Sequence, residues 1–370
     1  MSRRCRKELA LLLAGGLLVS GSALASSLTL YGVADVGYLN ARYEYDQDAE
    51  HASHLYSGLE SGMHRSSRWG LRGSDDLGGG LSAIFNVEQK IDLVDAEMAV
   101  GVYRRLVLGL SSRSWGTFTA GRQENVADNL LKLTTVRGLG KASRAFGNHD
   151  DVRVNGLLKY MSPVVGGFRG GLGYAPGGAA GDGFRDWVTT GVVFADGPLR
   201  LAWAFDRQRP TDSGGVARGY SVTNWTLAAS WNFGIVRVNL GYGEDRNGKL
   251  KKPGDVSSAT LGGYKPVGLG EYNSDGFRSR NCFVGASVPS GPGVFGLSWS
   301  RSSSNLAQVH AASHGAQPLA DATQSIAAAQ YVYPLSKRTR LFFYGAYGRG
   351  MTYLDGFKGR ELGLGTNHVF

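Results

Sequence analysis

Leu199-Arg-Leu-Ala-Trp-Ala-Phe-Asp206 carries the reading on which the fold turns. Leu199, Leu201, Trp203 and Phe205 share one side of an extended chain, and Arg200, Ala202, Ala204 and Asp206 share the other. Successive side chains of a strand point to opposite faces, so a period of two marks a β-strand with one apolar and one polar side. The same period recurs on both flanks. Trp225, Leu227, Ala229, Trp231 and Phe233 oppose Thr226, Ala228, Ser230 and Asn232; Val236, Val238, Leu240 and Tyr242 oppose Arg237, Asn239 and Gly241. Upstream, Phe168, Gly170, Leu172 and Tyr174 oppose Arg169, Gly171 and Gly173, and Leu81, Ala83, Phe85 and Val87 oppose Ser82, Asn86 and Glu88, with Ile84 the exception.

Alternation alone fits a water-soluble sandwich as well as a membrane barrel. Three details favour the barrel. The apolar rows end in aromatics (Phe205, Tyr242, Phe233, Tyr174), as interfacial girdles do. The opposite rows carry Arg, Asn, Asp and small residues, which suit a wet lumen. The segments run to ~8–10 residues, enough to cross a bilayer at a tilt. Lipid offers no partner for an open edge, so such a sheet must close.

Sixteen segments are expected, near 28–38, 67–75, 80–90, 103–111, 116–122, 154–161, 167–174, 187–194, 199–206, 221–233, 235–243, 279–288, 293–301, 324–333, 339–347 and 361–370. The connections alternate in length. Asp76-Leu-Gly-Gly79, Asp196-Gly-Pro198, Gly234, Pro289-Ser-Gly-Pro292 and Leu335-Ser-Lys-Arg338 are short; 39–66, 123–153, 207–220, 244–278, 302–323 and 348–360 are long. Short turns at one end and long loops at the other are the outer-membrane pattern. The expected fold is therefore all-β: a 16-stranded antiparallel transmembrane barrel, one domain over 26–370.

Residues 1–25 read as a cleaved signal peptide. Arg3, Arg4, Arg6 and Lys7 precede an apolar core at Leu9–Val19, and Ala23-Leu-Ala25 is a small-residue cleavage site. Removing this segment, with its four cations and single acid, takes the net charge from +10 to +7 and leaves Cys282 as the lone cysteine. No intramolecular disulfide can form in a compartment that permits them. No later run of 18 apolar residues exists, so no membrane-spanning helix is expected.

One stretch breaks the alternation: Gln123–Arg153, QENVADNLLKLTTVRGLGKASRAFGNHDDVR. Val126, Leu130, Leu131 and Leu133 suit a short helix. A connection this long inside a β domain is either functional or disordered. It is thus a surface insertion or a loop folded into the lumen, narrowing it.

Several stretches resemble the Gram-negative porins of the betaproteobacterial and neisserial type. Leu28-Thr-Leu-Tyr-Gly-Val-Ala-Asp-Val-Gly-Tyr38 is similar to that family's first strand, and Ser67-Arg-Trp-Gly-Leu-Arg-Gly-Ser-Asp-Asp-Leu-Gly-Gly-Gly-Leu81 to its second strand and turn. Trp115-Gly-Thr-Phe-Thr-Ala-Gly-Arg-Gln123 and Lys159-Tyr-Met-Ser-Pro163 resemble the two ends of its third loop; Tyr331-Val-Tyr-Pro-Leu-Ser-Lys-Arg-Thr339 and terminal Phe370 complete the likeness. The resemblance implies a homotrimer of 16-stranded barrels in the outer membrane, each with its third loop folded inward. Partners would be membrane lipid, lipopolysaccharide, permeating ions and small polar solutes, and the assembly machinery that reads Phe370. Asn155-Gly-Leu157, Thr366 and His368 depart from the family pattern.

Competing functions find little support. Gly243-Glu-Asp-Arg-Asn-Gly-Lys249 imitates a P-loop, but Leu250 replaces the required Ser or Thr. There is no G-x-S-x-G elbow and no H-E-x-x-H motif, so neither a hydrolase nor a zinc site is expected, and no cofactor is implied. His51, His54 and His64 read as solvated loop residues rather than a metal site, and the acids Glu44, Asp46, Asp48 and Glu50 as a solvated loop or as contacts to divalent ions at the lipopolysaccharide surface. The arginines are spread over strand faces rather than gathered into a nucleic-acid patch. The reading is a channel for passive diffusion of ions and small hydrophilic solutes, with a surface adhesin or a barrel hydrolase as the alternatives.

Selectivity follows from which charges face the lumen. Trp69 and Leu71 take one face of their strand, so Arg68 and Arg72 take the other; Arg105 opposes the row Leu106, Leu108 and Leu110. Arg122 is assigned to the constriction by family resemblance. The loop offers Glu124, Asp128, Asp150 and Asp151 in return. Some of these arginines could instead sit at the rim with Asp75 or Asp76. Four inward arginines in a chain of positive balance predict a modest preference for anions.

Overall fold

In a computed structural model the chain is described over residues 27–47, 50–96, 98–132, 134, 152–177, 183–211, 216–249, 275–306, 308–309, 323–353 and 356–370. The expected signal peptide at 1–25, together with Leu133 and 135–151 of the long loop, lies outside the described residues.

The strands are β1 (Ser27–Gln47), β2 (Glu50–Ser61), β3 (Arg68–Gly78), β4 (Leu81–Ile91), β5 (Met98–Ser112), β6 (Gly116–Glu124), β7 (Arg153–Met161), β8 (Phe168–Ala175), β9 (Phe184–Asp196), β10 (Leu199–Pro210), β11 (Val222–Asn232), β12 (Arg237–Arg246), β13 (Arg278–Ser290), β14 (Gly293–Ser304), β15 (Thr323–Pro334), β16 (Thr339–Arg349) and β17 (Lys358–Val369). One helix, α1 (Val126–Leu131), follows β6. Neighbouring strands pair antiparallel throughout, and β17 pairs back onto β1 from Val33↔Val369 to Glu44↔Lys358, closing the sheet. Closure leaves no edge to be desolvated by lipid.

β2 and β3 together serve as one wall position. β2 pairs with the distal half of β1 (Val36–Gln47), β3 with its proximal half (Ser27–Val33), and residues 62–67 interrupt them. Seventeen strands therefore make sixteen staves. Here the sequence reading is corrected: 39–66 is not an open loop but mostly a β-hairpin that extends the wall. Leu39, Ala41 and Tyr43 are fully buried, packed inward with Phe342, Met351 and Phe357, while Asn40 and Arg42 face out. Here the inner face is apolar because folded loops lie against it, while the outer face mixes Asn40 and Arg42 with the exposed Leu55, Leu59 and Leu362. Alternation continues, but its apolar row no longer marks lipid.

Within the bilayer-facing zone the apolar row points outward. Leu201 and Trp203 are 42% and 39% exposed, whereas Ala202 and Ala204 on the other face are 2% and 0% exposed. On β17 Leu362, Leu364, Thr366, His368 and Phe370 face out, and Gly363 and Asn367 are buried. Among the described residues no helix is long and apolar enough to cross a membrane; the crossing is made by strands.

Candidate functional site: the charged inner wall

Cross-strand partners in an antiparallel pair share a face. Arg72 pairs with Thr29 and Asn86, Gly70 with Tyr31 and Glu88, and Glu88 with Arg105, so Tyr31, Arg72, Glu88 and Arg105 occupy the face opposite Trp69 and Leu71. Between Glu88 and Gln89 the register slips past Arg104. Such a bulge re-aims a side chain, and Arg104 joins Arg105 on the inner side. Arg104 Nε donates to Glu88 Oε1 at 2.7 Å, and Arg68 Nε lies 3.3 Å from Glu88 Oε2. The Tyr31 hydroxyl donates to Glu88 and Asn86, both at 3.0 Å, and the Arg72 guanidinium sits 5.3 Å over the Tyr31 ring.

A second group lies at the end of β6. Arg105 grips the Glu124 carboxylate through two bonds, Nε at 2.6 Å and an η nitrogen at 2.8 Å. Arg153 approaches the same carboxylate at 3.6 Å, and Lys159 Nζ donates to Glu124 O and Asn129 Oδ1, both at 2.8 Å. Glu124 is 3% exposed. Removing a partner from so buried a charge costs far more than breaking a surface pair.

α1 is short, and the wall holds it. Asn125 caps it: its Oδ1 accepts from the Asp128 N–H at 2.9 Å, filling an otherwise unpaired first-turn donor. The same side chain donates from Nδ2 to both Asp206 oxygens at 3.0 and 3.1 Å. Val126 N–H donates to Thr189 Oγ1 at 3.0 Å. Val126, Ala127, Leu130 and Leu131 pack on Val193, Ala202, Ala204 and Ala228, which face away from the outward row. Small wall residues make the seat, since a Cβ at Gly191 would meet Leu130 at 3.0 Å and one at Gly171 would meet Val126 at 2.8 Å.

Of the residues singled out from sequence, Arg68, Arg72, Arg105 and Glu124 come together on the inner wall. Asp128 is buried and pairs with Lys132 in the next turn, so it offers no free charge. Arg122 does not join them. It pairs in register with Leu106, which is 49% exposed in the outer row, and donates to Tyr103 O at 2.6 Å and to Asn155 Oδ1. The strand's own alternation, Phe118–Ala120–Arg122 against Thr119–Gly121–Gln123, carries this placement, against the role that family resemblance implies.

The departure at Asn155-Gly156-Leu157 resolves as a bulge. Gly121 pairs with Leu157 and Gln123 with Val154, so Asn155 and Gly156 together stand opposite Arg122, one residue in excess. Gly156 has φ +59°, a left-handed conformation that glycine takes without steric cost. Val154 and Leu157 are consequently both buried, beside Phe184 and Trp187. Glu44, suspected of meeting divalent ions, lies 2.6 Å from Arg42, and no group of three metal-ligating side chains occurs among the described residues. Arg104, Arg153, Lys159 and Glu88 join the inner-wall clusters without being singled out by the sequence reading. The bulges that turn Arg104 and Val154 inward have no strong local signature, although Glu88 lies on the polar row.

A closed barrel with an apolar outside and a charged, hydrogen-bonded inside has the build of a membrane channel. The sequence profile of the Gram-negative porins matches residues 9–352. An outer membrane porin protein of Bordetella pertussis is 31% identical over 97% of this chain and 99% of its own length. Outer membrane porin protein 32 of Delftia acidovorans is 32% identical over 68% of this chain and 74% of its own. Among solved structures, an anion-selective porin from Comamonas acidovorans superposes with a TM-score of 0.69 over 94% of this chain and all of its own, at 24% identity. The chain belongs to the Gram-negative porin family. It is an outer-membrane channel for passive diffusion, and not an enzyme.

Proposed function

We propose that this porin passes small hydrophilic solutes with a preference for anions. The observation that carries the reading is the charge count of the two inner-wall clusters on β3–β7. Arg68, Arg72, Arg104, Arg105, Arg153 and Lys159 stand against Glu88 and Glu124, while Asp128 and Lys132 cancel. In a narrow lumen with low-dielectric walls a fixed positive excess concentrates anions and repels cations. The anion selectivity of the Comamonas protein is in line with this. α1, resting on the inner faces of β8–β10, supports a third loop that narrows the passage.

Export through cleavage after residue 25, assembly as a homotrimer, contact with lipopolysaccharide, and recognition of Phe370 by the assembly machinery belong to the same reading. They rest on the family and on the outward row that ends at Phe370. Liposome swelling tests the transport claim: vesicles carrying the protein should admit a small organic anion faster than a cation of equal size. Equal rates, or faster cation entry, would overturn the preference.

A further inference from the structure

The interruption between β2 and β3 does not bulge outward. Met63 is 3% exposed and lies across the inner faces of β1 and β17. A Cβ at Gly37 would meet Met63 Sδ at 2.7 Å, and one at Gly363 would meet Met63 Cε at 2.7 Å. The His64 ring stacks on inward Phe342 of β16 at 5.3 Å and 25°, and its Nδ1 is 2.8 Å from Gln330 Nε2 on β15. Residues 62–67 thus cross the inner wall of four staves.

Asp35 holds them there. Its side chain is wholly buried. One oxygen accepts the His64 N–H at 3.1 Å; the other accepts the Arg65 N–H at 2.8 Å and Asn367 Nδ2 at 3.0 Å. Asp35 O accepts from Gly62 N at 2.6 Å and from Ser67 Oγ at 2.9 Å. Losing such an acceptor strands buried N–H donors, each at a cost of about 1–3 kcal/mol. Arg65 is fixed at its backbone by this carboxylate. Its guanidinium has no ion pair within 4 Å among the described residues, and burial and the neighbouring Arg340 depress its pKa. Arg340 pairs in register with Asn367 and Asn367 with Asp35, so the three stand in one inward row.

Position on the ring gives the segment its meaning. With β2 and β3 as one stave, β9 and β17 lie eight staves apart in a ring of sixteen. α1 packs on β9 and β10, and Met63 on β17 and β1. We propose that residues 62–67 form a second inward element, held by Asp35, which narrows the lumen from the wall opposite α1 and presents Arg65 to permeating anions. The part concerning anions rests on the selectivity reading above; the inward element does not.

Three variants of the full-length protein in planar bilayers test it. Arg65→Ser should lower the anion-to-cation permeability ratio, as removal of a lining cation does, with Arg105→Ser as the reference. Asp35→Asn should raise single-channel conductance by freeing the segment. Arg65→Cys in a Cys282→Ser background should lose current when a bulky charged thiol reagent is added, and this variant leaves the Asp35 anchor intact. Wild type without anion preference would sink the selectivity reading, while the thiol experiment would still judge the element. An anion-selective wild type, weakened by Arg105→Ser and not by Arg65→Ser, would overturn Arg65's role alone. Complete labelling of the Arg65→Cys variant by mass with no change in current would overturn the inward element.

Discussion

Asn125 and Asp206 are joined across 81 positions of sequence by two hydrogen bonds from one amide nitrogen, at 3.0 and 3.1 Å. The same asparagine caps α1, and the same aspartate accepts from Trp187 Nε1 at 2.9 Å. One side chain therefore starts the helix and pins it to the wall. A six-residue helix has too few internal bonds to persist alone, so its place depends on this anchor and on the small residues beneath it.

Asn125→Ala removes both cap and anchor. A lost N-cap costs about 1 kcal/mol, and the loss of two hydrogen bonds to the buried Asp206 carboxylate adds to it. The barrel should still form, with larger and noisier single-channel conductance than wild type. Conductance and noise indistinguishable from wild type would show that Asn125 does not hold the loop.

Arg105→Ser leaves Glu124 with Arg153 as its remaining arginine partner. One cation is lost and one carboxylate is released toward the lumen, so the change in selectivity should exceed that of Arg72→Ser, which breaks no ion pair among the described residues. Permeability ratios of the two variants, measured in the same salt gradient, rank them. An equal or reversed ranking would argue against the bidentate pair as the larger contributor.

His64 supplies a pH dependence. Burial, with Arg65 and Arg340 adding to it, lowers its pKa to about 4, while Gln330 acts weakly the other way. The folded state holds the neutral ring and the unfolded chain binds the proton more readily, so this site's contribution to stability falls as pH drops from about 6.5 towards 4. His64→Gln cannot titrate and should flatten that part of the profile. The temperature at which heat-modifiable gel mobility is lost, followed from about pH 7 to about pH 4.5, provides the measurement. Parallel profiles for the two proteins would contradict the assignment.

Phe370 closes the barrel as well as ending it. Its N–H donates to Gly32 O at 3.2 Å, its carbonyl accepts from Gly32 N at 3.0 Å, and its ring lies outward in a row with Leu364. Deleting Phe370 should lower the yield of folded protein in the outer membrane. Replacing it with Tyr, which keeps the backbone bonds and the ring, should restore most of that yield. Full yield from the deletion strain would remove Phe370 from any role in assembly.

Much of this architecture is legible in the chain. Leu199–Asp206 and Trp225–Phe233 show their two faces without help, and all sixteen expected segments fall on staves. Arg68, Arg72 and Arg105 follow from Trp69, Leu71 and Leu106–Leu110 by counting in twos. The limits of that counting are physical. On the distal half of β1, Leu39, Ala41 and Tyr43 pack against folded loops inside the barrel, so an apolar row ceases to mean lipid. At a bulge the count slips by one, which hides Arg104. Arg122 illustrates the reverse case, where simple alternation is right and the borrowed role is not. Asp35 gives no sign of its role in the sequence, because its side-chain donors come from His64, Arg65 and Asn367, which only closure of the barrel brings together.

The most direct measurement is the reversal potential of the purified wild-type channel across a KCl gradient near ~0.1 M, repeated near ~1 M. At the lower salt the inner-wall cations should set an anion-selective sign; at the higher, where the Debye length falls to ~3 Å, the potential should shrink towards zero. A cation-selective potential at the lower concentration, or one of the same size at both, would contradict the account.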